Sequence, residues 1–547
     1  MHAVGLDGSI PADTLVPPGS AAEVTGNDQD RLLKRELSWP SLAALTFSGM
    51  VGSGWLFASY YAGKFAGPLS YASWVLVAAA TVLVGLTTVD LAVTRPVSGG
   101  LVRWPAMICG PFVGVLVGWI IFLQTAVGTP SEASGLLQYA TTWWPALFSG
   151  THLSTLGLLM ATAVLFGFNL LNWFGVSLMA RINNLVTIFK VVVPVLTVIL
   201  LLASGFDSHN IAAGGGIAPY GVASMLTAIT GAGLVYAFGG IQTPSIMVGE
   251  SRNPRRDLPL GTFVGFGLAF VLYLLLQTSY LFTVPARMVA SAGWQGINFH
   301  SPFAQLALLL NLGWLQQLLL VDAVISPSGA LFLGVGISGR NTFGMGQNKT
   351  FPKWLARVDV ASGVPRNALL VNFVVSVVFL FVFQSWQNLV SALGMFFAVA
   401  YAVIAIAAGA SRFDPRLRVT SWARGMHIIA PASFVFSALI MYWAGWPEVR
   451  MALLLTLIAL PWFAYRMRQD SRMMPASSFR NGIWFVAFLL VIGLLSALGS
   501  FKGSGAIPAP VDSIVVGVAA LAMYFWGIRS SRRWLTSREA ELAGGDY

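Results

Sequence analysis

Residues 47–57 read FSGMVGSGWLF, and residues 236–244 read YAFGGIQTP. Each stretch interrupts a long apolar run with glycines, and the second stretch adds Pro244. Membrane transporters expose backbone groups to their substrates by breaking helices, and paired Gly- or Pro-interrupted helices in the two halves of a chain point to this arrangement. The two stretches therefore predict a transport fold with two broken helices. The alternative is that the glycines only allow close helix packing.

The composition of the whole chain indicates a membrane protein. Of 547 residues, 56% are apolar and 9% are charged, whereas about a quarter of the residues of an ordinary soluble domain are charged. A helix needs about 20 mostly apolar residues to cross the hydrocarbon core of a bilayer. We expect an all-α polytopic protein with about fourteen transmembrane helices. The apolar runs lie at about 41–63, 68–93, 107–135, 153–173, 183–203, 223–249, 258–283, 311–339, 367–384, 388–410, 427–444, 447–465, 482–500 and 511–528.

The basic residues between these runs predict the orientation, because positively charged loops stay in the cytoplasm. With the amino terminus inside, the segments predicted to be cytoplasmic hold 26 of the 31 lysines and arginines, and the outside segments hold four. We therefore expect an inner-membrane protein with both termini in the cytoplasm. The net charge of +11 is spread between apolar runs, so we expect no nucleic-acid partner.

The order of the runs divides the chain into segments. Runs one to five and six to ten form two repeats that each begin with a broken helix, and an odd number of spans inverts the second repeat. We expect a disordered cytoplasmic tail at 1–37, a ten-helix transport core at 38–411, four peripheral helices at 412–530 and a cytoplasmic tail at 531–547.

Three motifs resemble one family, the amino acid-polyamine-organocation permeases. GSGWLFASYYAGKFAG at 52–67 resembles the family's first helix, and YAFGGIQTPSIMVGESRNPRRDLP at 236–259 resembles the sixth helix and the following loop. SGRNTFGMGQNKTFPKWLARVDVASGVPRNAL at 338–369 resembles the loop after the eighth helix. The resemblance implies a leucine-transporter-like fold with a 5+5 inverted repeat and amino-acid transport by alternating access. Among members of the family, the chain looks like bacterial amino-acid:proton symporters, with aspartate as one candidate substrate.

The resemblance also implies a substrate site at the two breaks. The backbone around Gly52, Ser53 and Gly54 would meet the α-carboxylate of the substrate, because free amides at a helix N-terminus favour anions. Tyr236 matches an aromatic residue that caps the site, although packing within the membrane is the alternative for any aromatic residue. The other matching positions are Met50, Phe238, Gly239, Gly240 and Ile241.

Lys190 is the candidate for proton coupling. It lies about nine residues inside the fifth run, and ionisable residues within spans usually face a cavity or pathway. The resemblance implies that this lysine stands where sodium-coupled relatives of the fold bind an ion. The alternative is that its long side chain reaches the cytoplasmic surface.

Three acidic residues have separate interpretations. Asp322 lies 18 residues before Arg340, about 27 Å along a helix, so it is predicted near the outer leaflet, away from the binding layer, as a vestibule residue or a structural partner. Glu250 precedes three arginines at the cytoplasmic mouth and is a candidate for an inner gate. Glu132 lies near the end of the third run and is predicted to be interfacial.

Other functions remain as alternatives. Lys190 argues against a sodium ion beside it, but an exchanger or a sodium-coupled or polyamine transporter would keep the same fold. A substrate-sensing receptor without transport activity would be expected to carry a signalling domain. A channel would need a continuous polar pore, whereas charges within the runs are sparse. The five histidines show no metal spacing and no phosphate loop occurs, so we expect no enzyme, no cofactor and no metal.

Overall fold

The computed structural model describes residues 36–97, 99–174, 177–347, 351–359, 363–414, 422–469 and 475–537. These residues are mainly helical, with one short antiparallel pair, β1 (Phe148–Ser149) and β2 (His152–Leu153). The α-helices are α1 (Trp39–Met50), α2 (Gly54–Ala66), α3 (Ser70–Thr94), α4 (Gly100–Cys109), α5 (Pro111–Ala140), α6 (Thr155–Trp173), α7 (Ser177–Gly205), α8 (Asn210–Ala213), α9 (Ala223–Gly231), α10 (Leu234–Ala237), α11 (Thr243–Ile246), α12 (Pro254–Thr283), α13 (Ala286–Gly296), α14 (Pro302–Leu309), α15 (Gly313–Gln347), α16 (Arg366–Phe383), α17 (Trp386–Ser411), α18 (Met426–Ala444), α19 (Trp446–Leu457), α20 (Ala459–Gln469), α21 (Ala476–Leu498) and α22 (Val511–Leu535).

The prediction of an all-α polytopic membrane protein is confirmed. In the described residues, 11 helices are long and apolar enough to cross a membrane, or 12 if the bent pair formed by α9 and the segment Leu234–Ile246 counts as one span. Two of the fourteen predicted runs account for the difference between fourteen and 12. The run at 41–63 is divided into α1 and α2, of 12 and 13 residues. The run at 447–465 is divided into α19 and α20, of 12 and 11 residues.

The helical stretch from α2 through α3 is too long for a single crossing. It covers 41 residues, about 62 Å at the usual helical rise, whereas the hydrocarbon core is about 30 Å thick. Gly67 lies at the junction with a φ of 58°, in the left-handed region that favours glycine. The stretch is therefore not one straight helix, and α2 and α3 are separate elements.

The helices α1 and α12 pack against each other through small residues. A Cβ on Gly261 of α12 would lie 2.4 Å from the Cβ of Leu42 on α1. A Cβ on Gly265 would lie 2.5 Å from the carbonyl oxygen of Ala43. The missing side chains allow α1 to lie directly on α12, as is common for small residues at membrane helix interfaces.

The centre of the bundle is formed by α5 and α17. In the most apolar 18-residue segments of these helices, 78% and 94% of the residues are buried. The helix α15 packs along α5, and α7 packs along α15. The helices α18 and α22 pack on α17 from outside, and the Trp119 indole of α5 donates a hydrogen bond to the carbonyl of Leu455 at 2.7 Å. The last helices therefore lie against the bundle rather than apart from it.

The predicted tails lie largely outside the described residues. From the amino-terminal tail, Glu36 and Leu37 are described, and the Leu37 amide donates to the Glu250 carbonyl at 2.9 Å. At the other end, α22 continues to Leu535, five residues into the segment predicted as a tail. Residues 538–547 are outside the described part of the chain.

Candidate functional site

The first break lies between α1 and α2. In a continuous α-helix the amides of Gly52 and Ser53 would donate to carbonyls four residues earlier. Instead the Gly52 amide donates to the Met50 carbonyl at 3.0 Å. The break therefore releases the carbonyl of Ser48 and the amide of Ser53 for other partners.

Two buried charged side chains occupy the released groups. The Lys190 Nζ donates to the Ser48 carbonyl at 3.1 Å, and the Ser53 amide donates to Glu132 Oε2 at 3.1 Å. The exposed fractions of Lys190 and Glu132 are 2% and 5%. The C-terminal end of a helix favours a cation and the N-terminal end favours an anion. Each charge therefore lies at the helix end that stabilises it.

The prediction that Glu132 is interfacial is wrong. The helix α5 continues for eight residues beyond it, to Ala140, or about 12 Å, so the carboxylate lies inside the bundle. Its Oε1 accepts a hydrogen bond from the Tyr236 hydroxyl. A Cβ on Gly52 would lie 2.9 Å from the same oxygen. Glycine at this position therefore allows the carboxylate to reach the break.

The second break lies directly against the first. After α10, a 3-10 turn covers Gly239–Gln242 and leads into α11. A Cβ on Gly240 would lie 2.4 Å from the carbonyl carbon of Gly49 and 2.5 Å from the amide nitrogen of Met50. Contact between backbone atoms of the two breaks is possible only because position 240 has no side chain.

Tyr273 of α12 holds the two breaks together. Its hydroxyl lies 2.8 Å from the carbonyl oxygen of Met50 in the first break and 3.2 Å from that of Ala237 in the second. The side chain is fully buried. A single hydroxyl thus serves carbonyl groups from both breaks, which would otherwise lack helical partners.

Tyr236 and Trp386 cover one side of the first break. The Tyr236 hydroxyl lies 3.4 Å from Ser53 Oγ, and the Trp386 Nε1 donates to the same oxygen at 2.9 Å. The two rings meet edge to face at 6.3 Å, and the Phe57 ring lies 4.7 Å from Trp386. Sequence reasoning missed Trp386, because a tryptophan at the start of a span is typical of the membrane interface.

The structure brings some of the predicted lining residues together and separates others. Gly52, Ser53 and Tyr236 surround the Glu132 carboxylate, and a Cβ on Gly54 would lie 3.5 Å from the Tyr236 ring. Met50 contributes its carbonyl to the contact with α12. The candidate site is therefore formed by the first break and the residues that face it.

Phe238, Gly239 and Ile241 point elsewhere. The Phe238 ring packs against Trp74 at 5.6 Å and Tyr273 at 5.4 Å. A Cβ on Gly239 would lie 2.6 Å from the Phe397 ring. Ile241 packs against Gly85 of α3. These contacts pack the second break against neighbouring helices. A substrate-lining role for the three residues remains a prediction.

Asp322 is buried within electrostatic range of Lys190. Its side chain is fully buried, its Oδ1 accepts from Ser326 Oγ at 2.8 Å, and it interacts electrostatically with Lys190, as Glu132 does. The predicted separation of Asp322 from the binding layer stays a prediction. Because α15 continues to Gln347, Arg340 does not mark the end of the helix.

Glu250 lies at the far end of the second break, in the 3-10 turn Val248–Glu250. Its carbonyl accepts from the Leu37 amide, and the Arg252 amide donates to the Leu37 carbonyl at 3.0 Å. The turn is thus tied to the segment that precedes α1. The gate role of Glu250 stays a prediction.

Comparison with known proteins identifies the family of the chain. The profile of the family described as "Amino acid permease" matches residues 37–475. The glutamate/serine transporter AimA of Bacillus subtilis is 34% identical, over 91% of this chain and 94% of the relative. The aspartate-proton symporter of the same organism is 31% identical, over 90% of this chain and 96% of the relative.

Two more distant proteins extend the comparison. The arginine/ornithine antiporter ArcD2 of Lactococcus lactis is 25% identical, over 70% of this chain and 79% of the relative. The crystal structure of a manganese transporter from Eremococcus coleocola covers 94% of this chain and 99% of its own, at 13% identity and a TM-score of 0.49, a similarity too low to assign the fold. The extent of the profile match and the two Bacillus relatives together establish that this chain belongs to the amino acid permease family, which consists of membrane transporters rather than enzymes.

Proposed function

We propose that the chain is a secondary active transporter that carries an amino acid together with a proton by alternating access. The observation that carries this proposal is the buried pair of Lys190 and Glu132 at the two ends of the first break. Ionisable groups buried in a membrane are costly and usually serve a substrate or ion pathway. The name of the aspartate-proton symporter among the relatives gives independent support.

The amino-acid head has a matching site at this break. The Ser53 amide lies at the N-terminus of α2, directly before Gly54, and a helix N-terminus favours a carboxylate. The carbonyl groups that the breaks release can accept hydrogen bonds from an ammonium group. The glycines at 52 and 54 leave room for the substrate backbone to approach. This accounts for recognition of the α-carboxylate and α-ammonium groups that all amino acids share.

The finer architecture follows from the same proposal. We assign α1 with α2 to span one and the segment from α9 to α11 to span six, so that each five-span repeat begins with a broken helix. If α19 and α20 also form one span, the count is fourteen. Both termini then lie in the cytoplasm, with the protein in the inner membrane. The four spans after residue 412 are peripheral in this arrangement.

Lys190 gives a reason to prefer protons over sodium ions. Its ammonium donates to the Ser48 carbonyl, a group that would otherwise be available to a metal cation, since hard cations prefer oxygen ligands. A lysine in this place satisfies the carbonyl without a bound ion.

Exchange is the second candidate, because one relative is named as an arginine/ornithine antiporter. An exchanger and a symporter can share this site and differ only in whether the empty protein changes conformation. A measurement of net uptake against a gradient separates the two.

The test is uptake of a radiolabelled panel into proteoliposomes, with aspartate, glutamate and serine first because the relatives are named for them. Each is measured with an inward proton gradient, with sodium alone and with no gradient. Lys190→Ala is compared with Lys353→Ala, since Lys353 is exposed and outside the site. We expect proton-driven uptake that Lys190→Ala abolishes and the control retains. Uptake that needs only internal amino acid would favour exchange, and a requirement for sodium would overturn proton coupling.

A further inference from the structure

The Ser53 amide is already occupied by a carboxylate of the protein itself. In the proposed function this amide receives the carboxylate of the substrate, yet here it donates to Glu132. We propose that Glu132 occupies the substrate's carboxylate site in the empty transporter and that substrate displaces it only after it takes up the proton that is then co-transported. This inference rests on the proposed function and assigns the proton to a named group.

The contacts of Glu132 leave little room for a second anion. One carboxylate oxygen accepts from the Ser53 amide and the other from the Tyr236 hydroxyl. A Cβ placed on Gly52 would lie 2.9 Å from Glu132 Oε1, so the carboxylate fills the space that the glycine leaves. The Trp386 indole meanwhile holds Ser53 Oγ. A substrate carboxylate can reach the amide only if Glu132 moves away.

Charge makes this displacement depend on a proton. Two carboxylates that share one site do not both remain ionised. When Glu132 is protonated, it no longer competes as an anion for the helix N-terminus, and its new O–H can donate to Tyr236 Oη or to the substrate. The proton comes from water on the side to which the site is open. It returns to water on the other side when substrate leaves and the ionised Glu132 rebinds the amide, so one proton crosses with each substrate.

The charged and titratable neighbours fit this cycle. Among the described residues, the groups within electrostatic range of Glu132 are Lys190 on α7, Tyr236 on α10 and Tyr273 on α12. Asp322 on α15 interacts with Lys190. Asp322 is thus a second acidic group in range of Lys190. Because Lys190 donates to the Ser48 carbonyl and not to Glu132, it can stay on that carbonyl while Glu132 gains and loses the proton.

The experiment measures the binding of radiolabelled L-aspartate, L-glutamate and L-serine, each in turn, to purified protein between pH 5.5 and 8.5. The carboxyl groups of the three probes are ionised throughout this range. We compare the wild type with Glu132→Gln, which removes the titration and keeps the shape. Glu448→Gln is the matched control, since Glu448 pairs with Lys502 outside the site at 2.9 Å.

For the wild type and the control, we expect the affinity to fall by about tenfold per pH unit above the pH at which Glu132 ionises, the slope for one linked proton. For Glu132→Gln we expect an affinity that does not change with pH. The same slope in Glu132→Gln as in the wild type would overturn the inference, and so would a wild-type affinity that is independent of pH.

A second measurement applies even if Glu132→Gln does not fold. In weakly buffered solution, a pH indicator reports protons taken up when the probe binds to the wild type. We expect about one proton per bound amino acid, and no uptake would contradict the inference. Wild-type transport that does not depend on the proton gradient would instead refute the proposed function. Proton-driven transport, combined with an unaltered pH slope of the binding affinity in Glu132→Gln, would refute the inference alone.

Discussion

Replacement of Gly240 by alanine should force the two breaks apart. The added Cβ would lie 2.4 Å from the carbonyl carbon of Gly49 and 2.5 Å from the Met50 nitrogen, about 1 Å closer than ordinary van der Waals contact. Both neighbours are backbone atoms, so no side-chain rotation relieves the clash. Overpacking of this kind costs about 1–3 kcal/mol. We expect a lower melting temperature. We also expect a loss of transport larger than the loss of stability alone would cause, because the shift moves the site itself.

The matched control is Gly267→Ala on α12, where no atom apart from its chain neighbours and the backbone of its own helix lies within 4 Å of an added Cβ. Alanine in a helix is more favourable than glycine by up to about 1 kcal/mol, so this variant should melt at or above the wild-type temperature and transport normally. Thermal unfolding in detergent and uptake by proteoliposomes are measured on both. If Gly240→Ala matches the control in both assays, the close contact between the breaks is not required and the reasoning fails.

Three further predictions concern side chains at and outside the site. Lys190→Met should lose proton-driven uptake, because it leaves two buried carboxylates without their cation, whereas Lys190→Arg should retain part of it, since arginine keeps the charge without titrating; equal loss in both variants would argue against a fixed cation. Trp386→Phe removes the donor to Ser53 Oγ and should weaken substrate binding about fivefold, for a hydrogen bond worth about 1 kcal/mol, while an unchanged dissociation constant would exclude this role. Burial lowers the pKa of His300 below its ordinary value of 6.5; the unfolded chain then binds more protons, so stability should fall as the pH drops through 6.5, and His300→Gln should reduce this dependence in melting curves.

The glycine motifs at 47–57 and 236–244 lie where the structure has interruptions between helices. Gly52 and Gly240 stand in local patterns that can be read without a structure, because an interrupted apolar run has few explanations. The structure adds that the two motifs touch through backbone atoms. Lys190 was also recognisable, since a lone lysine in a long apolar run is unusual.

Glu132 and Trp386 could not be placed in the same way. Hydropathy ends the third run at about residue 135, whereas α5 continues to Ala140, so an acidic residue within the bundle looked interfacial. The contacts of these residues with Ser53 also join positions 79 and 333 residues apart. No local pattern carries such pairings, because they depend on how α5 and α17 pack around the first break.

The most direct test of proton-coupled symport is the pH inside proteoliposomes after external amino acid is added with no gradient in place. A trapped fluorescent dye reports the internal pH, and radiolabel in parallel samples reports the uptake. We expect the interior to become more acidic in step with amino-acid entry, and Lys353→Ala to behave as the wild type does. Entry of amino acid with no change in internal pH would contradict it.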